Sequence, residues 1–145
     1  MAKVTLLFYR AKGNPRATLL DKLVAHIDGG IFSHVEIVTK VDGYLVETVG
    51  CHLFRGGVSH GYYDTRLDSC EFITVEAVDN GAAFFEATKG KRYSVYAALR
   101  TRWHWLPRLW GGWCCSSWAS TYLGWANADV LGVEDARETA LLIEV

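Results

Sequence analysis

The sequence predicts an α+β fold in which a central antiparallel sheet packs against helices. Stretches rich in β-branched residues predict strands, and stretches with apolar residues three or four positions apart predict helices. The chain has 145 residues, half of them apolar, which suits one domain with a sizeable core. We therefore expect residues 1–145 to form a single domain.

Alternating apolar and polar residues between turn residues predict the strands. Apolar residues at helical spacing, with Gly or a capping residue at an end, predict the helices. The predicted strands are Lys3–Arg10, Phe32–Lys40, Tyr44–Val49 and Glu71–Val78. The predicted helices are Arg16–Asp28, a helix capped by Asp79 that passes through Ala82 and Ala87 and ends at Gly90, then Tyr93–Arg102, Cys115–Trp125 and one near Glu134–Leu142. Residues 53–61 have the composition of a loop, and we expect His52 and His60 to be solvated.

The predicted hairpin carries ionisable residues on a sheet face, where they are costly without partners or a function. His34 and Glu36 share one face of the first strand, and Glu47 is the corresponding ionisable residue on the second strand. A two-residue turn at Asp42-Gly43 leaves Glu47 about 13 Å along the sheet from His34. A four-residue loop pairs Glu36 with Glu47 and brings Glu47 to roughly 7 Å from His34. We predict the four-residue loop.

Two thiols, Cys114 and Cys115, stand where a helix is predicted to begin, just after a Gly111-Gly112 break. The helix macrodipole stabilises a thiolate at its N-terminus and lowers the thiol pKa. Free N–H groups of the first turn can also receive a developing oxyanion. This pattern is typical of a cysteine nucleophile, which requires a histidine base. The alternative is that both cysteines are small core residues.

Composition excludes several classes of protein. The net charge is −1, so we expect no nucleic-acid partner. No apolar stretch is long enough for a transmembrane helix, and the N-terminus resembles a first strand more than a signal peptide. We expect a cytoplasmic location, with free thiols. A zinc site formed by Cys51, His52, Cys70 and Cys114 or Cys115 is an alternative that lacks the usual ligand spacing.

The segment Trp103–Trp113 is rich in tryptophan and contains Pro107. Three interpretations fit it: a wall that lines a substrate site, a wedge at a membrane surface, and a loop anchored on the domain by its rings. The anchored loop is the default expectation, and contact with a protein or a membrane surface stays open.

Several short motifs together resemble a known family. They are Phe32-Ser33-His34, Leu45-Val46-Glu47, Gly90-Lys91-Arg92-Tyr93 and Cys115-Ser116. In order and spacing over about residues 31–125 they are similar to the circularly permuted branch of the NlpC/P60 papain-like superfamily, the YiiX-like proteins. The resemblance implies a papain-like fold with Cys115 as nucleophile, His34 as base and Glu47 as the group that orients His34. Many small phage-encoded proteins look similar, so a phage origin fits.

Three positions depart from the pattern of that family. Ser117 stands where the family has a glutamate, Glu36 where a glycine is common, and Cys114 where an apolar or aromatic residue is usual. Glu36 and Cys114 are therefore candidate auxiliary residues.

The combined expectation is a cysteine hydrolase or acyltransferase that acts on an amide, ester or thioester and needs no metal or cofactor. Peptide, peptidoglycan and acyl substrates all remain open, in the cytoplasm of a host or in a virion. The alternative is a non-catalytic papain-fold module, such as a virion or host-interacting phage protein.

Overall fold

In the described part of the chain, five strands interrupted by one helix come first and four helices follow, which is an α+β arrangement. The computed structural model describes residues 1–53, 56–109 and 112–145, so the predicted break at Gly111 and the ring of Trp110 lie outside the described residues. The strands are β1 (Ala2–Arg10), β2 (Phe32–Asp42), β3 (Leu45–His52), β4 (Gly57–Asp64) and β5 (Cys70–Ala77). The helices are α1 (Leu19–Asp28), α2 (Gly81–Thr88), α3 (Val95–Arg102), α4 (Cys115–Tyr122) and α5 (Val133–Leu142).

The sheet is antiparallel throughout, in the order β4-β3-β2-β1-β5. This confirms the predicted α+β class and its central antiparallel sheet. The structure adds β4, where the sequence suggested a loop. β4 pairs with β3 from Leu45 opposite Asp64 to His52 opposite Gly57, so His52 ends a strand.

The two faces of the sheet are covered unequally. Alternation along β2 directs Val35 and Ile37 to the larger core, where they join Trp118 and Ala119 of α4. The opposite face carries a smaller cluster that includes Leu7, Val46 and Tyr63. Since side chains alternate between faces, His34 and Glu36 belong to the face of this smaller cluster.

The β2–β3 hairpin differs from both predicted registers. Its turn is Gly43-Tyr44, because Asp42 pairs with Leu45. The register then shifts at Thr39, since Lys40 pairs with Glu47 and Val38 with Thr48.

This β-bulge sends Glu47 to the face opposite Glu36, because Thr48 contacts Glu36 and consecutive side chains alternate. The predicted four-residue loop was therefore wrong. So was the expectation that Glu47 shares the face of His34.

Helix α1 carries an apolar stripe that the core does not cover. It begins at Leu19 behind a capping box of Thr18 and Asp21, and it ends at Gly29, whose φ is +79°. An amphipathic helix ordinarily turns its apolar stripe to the core. Here Leu23 and Ile27 are exposed, and Ala25 is the residue of α1 that is fully buried.

The tryptophan-rich segment is not anchored along its whole length. Trp113 packs edge-on against Phe84, but Trp105 is 79% exposed and Leu109 is exposed as well. The default expectation of an anchored loop is therefore wrong for Trp105. Among the described helices, none is both long and apolar enough to cross a membrane.

Candidate active site

The candidate nucleophile lies where the sequence predicted it. Cys115 is the first residue of α4, with Cys114 as the N-cap, and both thiols are buried. The start of the helix is held by Ser117, whose hydroxyl oxygen accepts the backbone N–H of Cys114 at 3.0 Å. Ser117 thus completes a capping box at the start of α4, because a hydroxyl can accept the N–H of the N-cap residue.

The Cys115 thiol is less acidic than a helix N-terminus alone suggests. Burial, followed by the neighbouring Cys114, raises the pKa of Cys115 well above its ordinary value of 9.0. The backbone N–H groups of Val35 and Ser116 favour the thiolate and lower the pKa of Cys115, but they do not offset burial. The expectation of a lowered pKa is therefore wrong for the unliganded protein, because desolvation outweighs the helix dipole.

A buried carboxylate holds His34. His34 Nε2 lies 2.6 Å from Oε1 of Glu36, whose side chain has no exposed surface. An ionised carboxylate only accepts hydrogen bonds, so Nε2 carries the hydrogen and Nδ1 keeps its lone pair. Nδ1 is therefore the ring nitrogen of His34 that lies outside the bond to Glu36.

Glu36 is the centre of a fully hydrogen-bonded cluster. Its Oε1 accepts hydrogen bonds from His34, from Nε2 of His52 at 2.7 Å and from the Tyr63 hydroxyl at 2.5 Å, and its Oε2 accepts one from Thr48. Burial alone would raise the pKa of Glu36, but the two histidines outweigh it and hold the pKa well below 4.5. Glu36 is therefore ionised at neutral pH.

Two glycines make room for this carboxylate. A Cβ on Gly50 would lie 2.8 Å from Cγ of Glu36, and a Cβ on Gly61 would lie 2.5 Å from its Oε2 and 2.6 Å from Oγ1 of Thr48. Both distances are too short for a real side chain, so glycine at these positions is required for the cluster to form.

The predicted orienting residue, Glu47, has a different neighbour. Its Oε1 lies 3.7 Å from Nδ1 of His60, and both side chains are partly exposed. Glu36, named in the sequence analysis only as an auxiliary residue, occupies the position expected of Glu47.

The sequence analysis missed His52, which it expected to be solvated and which is 5% exposed. Its ring centroid lies 5.3 Å from that of His34. The signal that could have identified it is the run of Thr48, Gly50 and His52 at every second position of β3, on the same face as Glu36.

His34 and Cys115 meet at a cleft rather than through a direct bond. Both border a polar cleft of about 390 Å³ together with Asp21, Tyr63 and Tyr93. Among the described residues, no hydrogen bond joins the Cys115 sulfur to His34, whose Nε2 is bonded to Glu36.

The same thiol also borders a second, apolar cleft of about 250 Å³ between α1 and α3. Leu20, Val24, Leu53 and Tyr93 line both clefts and separate them. Cys115 thus stands at the junction of a polar and an apolar space.

Metal-ligand atoms converge at one place among the described residues. Atoms of His34, Glu36 and His52 lie within 4.8 Å of one another. Their hydrogen bonds to one another, to Tyr63 and to Thr48 already satisfy the carboxylate.

The residues of the alternative zinc site do not converge. Among the described residues, the ligand atoms that come together belong to His34, Glu36 and His52, and Cys51 and Cys70 are not part of this group.

Comparison with known proteins identifies no relative of this chain. No family model matches the chain, and neither the curated proteins nor the solved structures contain a significant match. The chemistry therefore has to be argued from the site itself.

Proposed function

We propose that the protein is a cysteine-dependent hydrolase or acyltransferase that cleaves an ester, thioester or amide. The observation that carries the proposal is the shared polar cleft: it joins Cys115, at the start of α4, to a histidine whose Nε2 is held by the buried carboxylate of Glu36. The resemblance to permuted NlpC/P60 proteins supports the same two residues, His34 and Cys115. In this proposal Glu36 replaces Glu47 as the orienting group.

The reaction has two steps. As Sγ of Cys115 bonds to the acyl carbonyl carbon, its proton passes to Nδ1 of His34; the bond to the leaving group then breaks, and His34 returns the proton to the leaving atom. A water or an acceptor hydroxyl, deprotonated by His34, next attacks the thioester carbon, and the thiol is restored. Ionised Glu36 stabilises the imidazolium that forms in both steps.

The raised pKa of Cys115 determines how the thiol is activated. Since the thiol is protonated at rest, proton transfer to His34 has to accompany attack, as in serine enzymes, instead of preceding it in a stable ion pair. In this proposal, substrate binding in the shared cleft brings Nδ1 of His34 and the sulfur of Cys115 together.

The raised pKa also favours a second candidate, a non-catalytic module that keeps a papain-like groove. Intact-protein mass spectrometry after brief exposure to an activated acyl ester separates the two. An enzyme gains one acyl mass on Cys115, lost again on incubation, and His34→Ala abolishes this gain. If Cys115 is never acylated while the fold is intact by circular dichroism, the catalytic proposal is wrong and the binding module stands.

A further inference from the structure

The proposed reaction does not use the apolar cleft beside Cys115. Its floor includes Cys114 and Cys115, and its walls come from α1 and α3. The stripe of α1 that the core leaves uncovered is part of this wall, through Leu23 and Ile27. Exposed apolar surface that converges on a reactive group indicates a ligand site.

Two of the polar side chains along the cleft, which Arg102 also borders, have partners within the protein. The Thr101 hydroxyl donates to the carbonyl of Ala98 at 2.7 Å, and the carboxylate of Asp28 accepts the N–H of Glu134 at 2.8 Å. A peptide backbone in this cleft would lose hydrogen bonds to water and find few partners in exchange. A hydrocarbon chain needs none.

Each of the two clefts suits a different half of a substrate. The leaving group has to lie where His34 can protonate it, which is the polar cleft with Asp21 and Asp68. The acyl group then extends from its carbonyl carbon at Cys115 in the other direction, into the apolar cleft.

The size of the apolar cleft limits the length of the acyl group. An apolar cavity of about 150 Å³ holds benzene, which has six carbon atoms. By proportion, the observed 250 Å³ holds about ten carbon atoms.

We infer that the acyl group cleaved at Cys115 is a hydrocarbon chain of about ten carbon atoms, held between α1 and α3, with a polar leaving group beside His34. This inference rests on the proposed function, because it specifies the substrate class of the same thiol.

A homologous series of 4-nitrophenyl esters from acetate to palmitate tests the inference, since the leaving group is constant. At full burial each added methylene raises kcat/KM about fourfold. We expect a rise up to about ten carbons and a plateau or decline beyond.

Two variants locate the effect in the cleft. Leu23→Ala removes a wall side chain, so it should reduce kcat/KM for the decanoate severalfold more than kcat/KM for the acetate. The matched control is Leu19→Ala, on the same helix but outside the cleft. Ala98→Phe should shorten the preferred chain, because Ala98 lines the cleft.

Alkylation distinguishes failure of the inference from failure of the proposed function. N-methyl, N-butyl and N-octyl iodoacetamides need only the thiol, and mass spectrometry measures their rates on Cys115. If no ester is cleaved but the octyl reagent reacts fastest, the cleft binds chains and the catalytic proposal is wrong.

Two outcomes overturn the inference while the catalytic proposal stands. In the first, esters are cleaved at rates that do not depend on chain length. In the second, N-acetyl-leucine esters are preferred over decanoate, which assigns the cleft to a peptide side chain.

Discussion

Replacing Glu36 by glutamine is the most informative perturbation of the candidate site. The change keeps the size of the side chain but removes a buried charge that accepts hydrogen bonds from His34, His52, Tyr63 and Thr48. The new amide NH2 then faces groups that are themselves donors. Breaking a buried charged network of this kind costs roughly 3 kcal/mol or more.

The thermal shift follows from the size of the chain. With 145 residues, the entropy of unfolding is about 0.3 kcal/mol per kelvin, so a loss of about 3 kcal/mol lowers Tm by about 10 °C. Differential scanning calorimetry measures this shift directly.

Activity should fall further than stability. In a serine-protease triad, changing the orienting carboxylate to its amide lowers kcat by about 10⁴, because the histidine adopts the wrong tautomer. We expect a loss of about 10²- to 10⁴-fold in ester hydrolysis for Glu36→Gln, measured below its Tm.

Glu47→Gln is the matched control. Glu47 is partly exposed and lies beside His60, so this variant should keep its activity within about twofold and its Tm within about 2 °C. A folded Glu36→Gln variant with near-normal activity, or a worse loss in Glu47→Gln, would refute the assignment of Glu36 to His34.

Four further outcomes are expected. Cys115→Ser should abolish acylation, whereas Cys114→Ser should retain most of it; strong acylation of a Cys115→Ser variant would move the nucleophile to Cys114. Gly61→Ala should lower stability by about 1–3 kcal/mol in urea unfolding, because its Cβ would lie 2.5 Å from Glu36. The stability advantage of wild type over Glu36→Gln should be full above about pH 4.5 and decrease as pH falls below that value toward the depressed pKa of Glu36, and an advantage that does not decrease below pH 4.5 would contradict an ionised Glu36. The rate of Cys115 alkylation by iodoacetamide should still be rising at pH 9, and a plateau near pH 7 would show that burial does not control its pKa.

Local sequence patterns were sufficient to predict most helices and strands, but not the register of the hairpin. Thr18 caps the start of α1, and Gly29 ends it. The start of α4 at Cys115 follows from turn and capping residues. The bulge at Thr39 has no such local signal, since it depends on how a whole strand packs. Because a one-residue shift moves every later side chain to the other face, this single feature misassigned Glu47.

The pKa of Cys115 was mispredicted for a related reason. A helix N-terminus is visible in the sequence, and its dipole lowers the pKa of a thiol there. The burial of that thiol against β2 is a tertiary property, and here it has the larger effect. The same holds for His52, whose burial depends on the pairing of β3 with β4.

The cluster around Glu36 is assembled partly within one strand and partly between strands, and this has a dynamic consequence. His34 and Glu36 are two residues apart on β2, so their spacing is set by the covalent pleat and survives local opening. His52, Thr48 and Tyr63 belong to β3 and β4, the latter at the edge of the sheet. Transient detachment of that edge hairpin would admit water to the carboxylate while the histidine–glutamate pair stayed together. A ligand that binds at Cys115 should therefore change the rate of amide hydrogen exchange in β4, although β4 lies on the far side of the site.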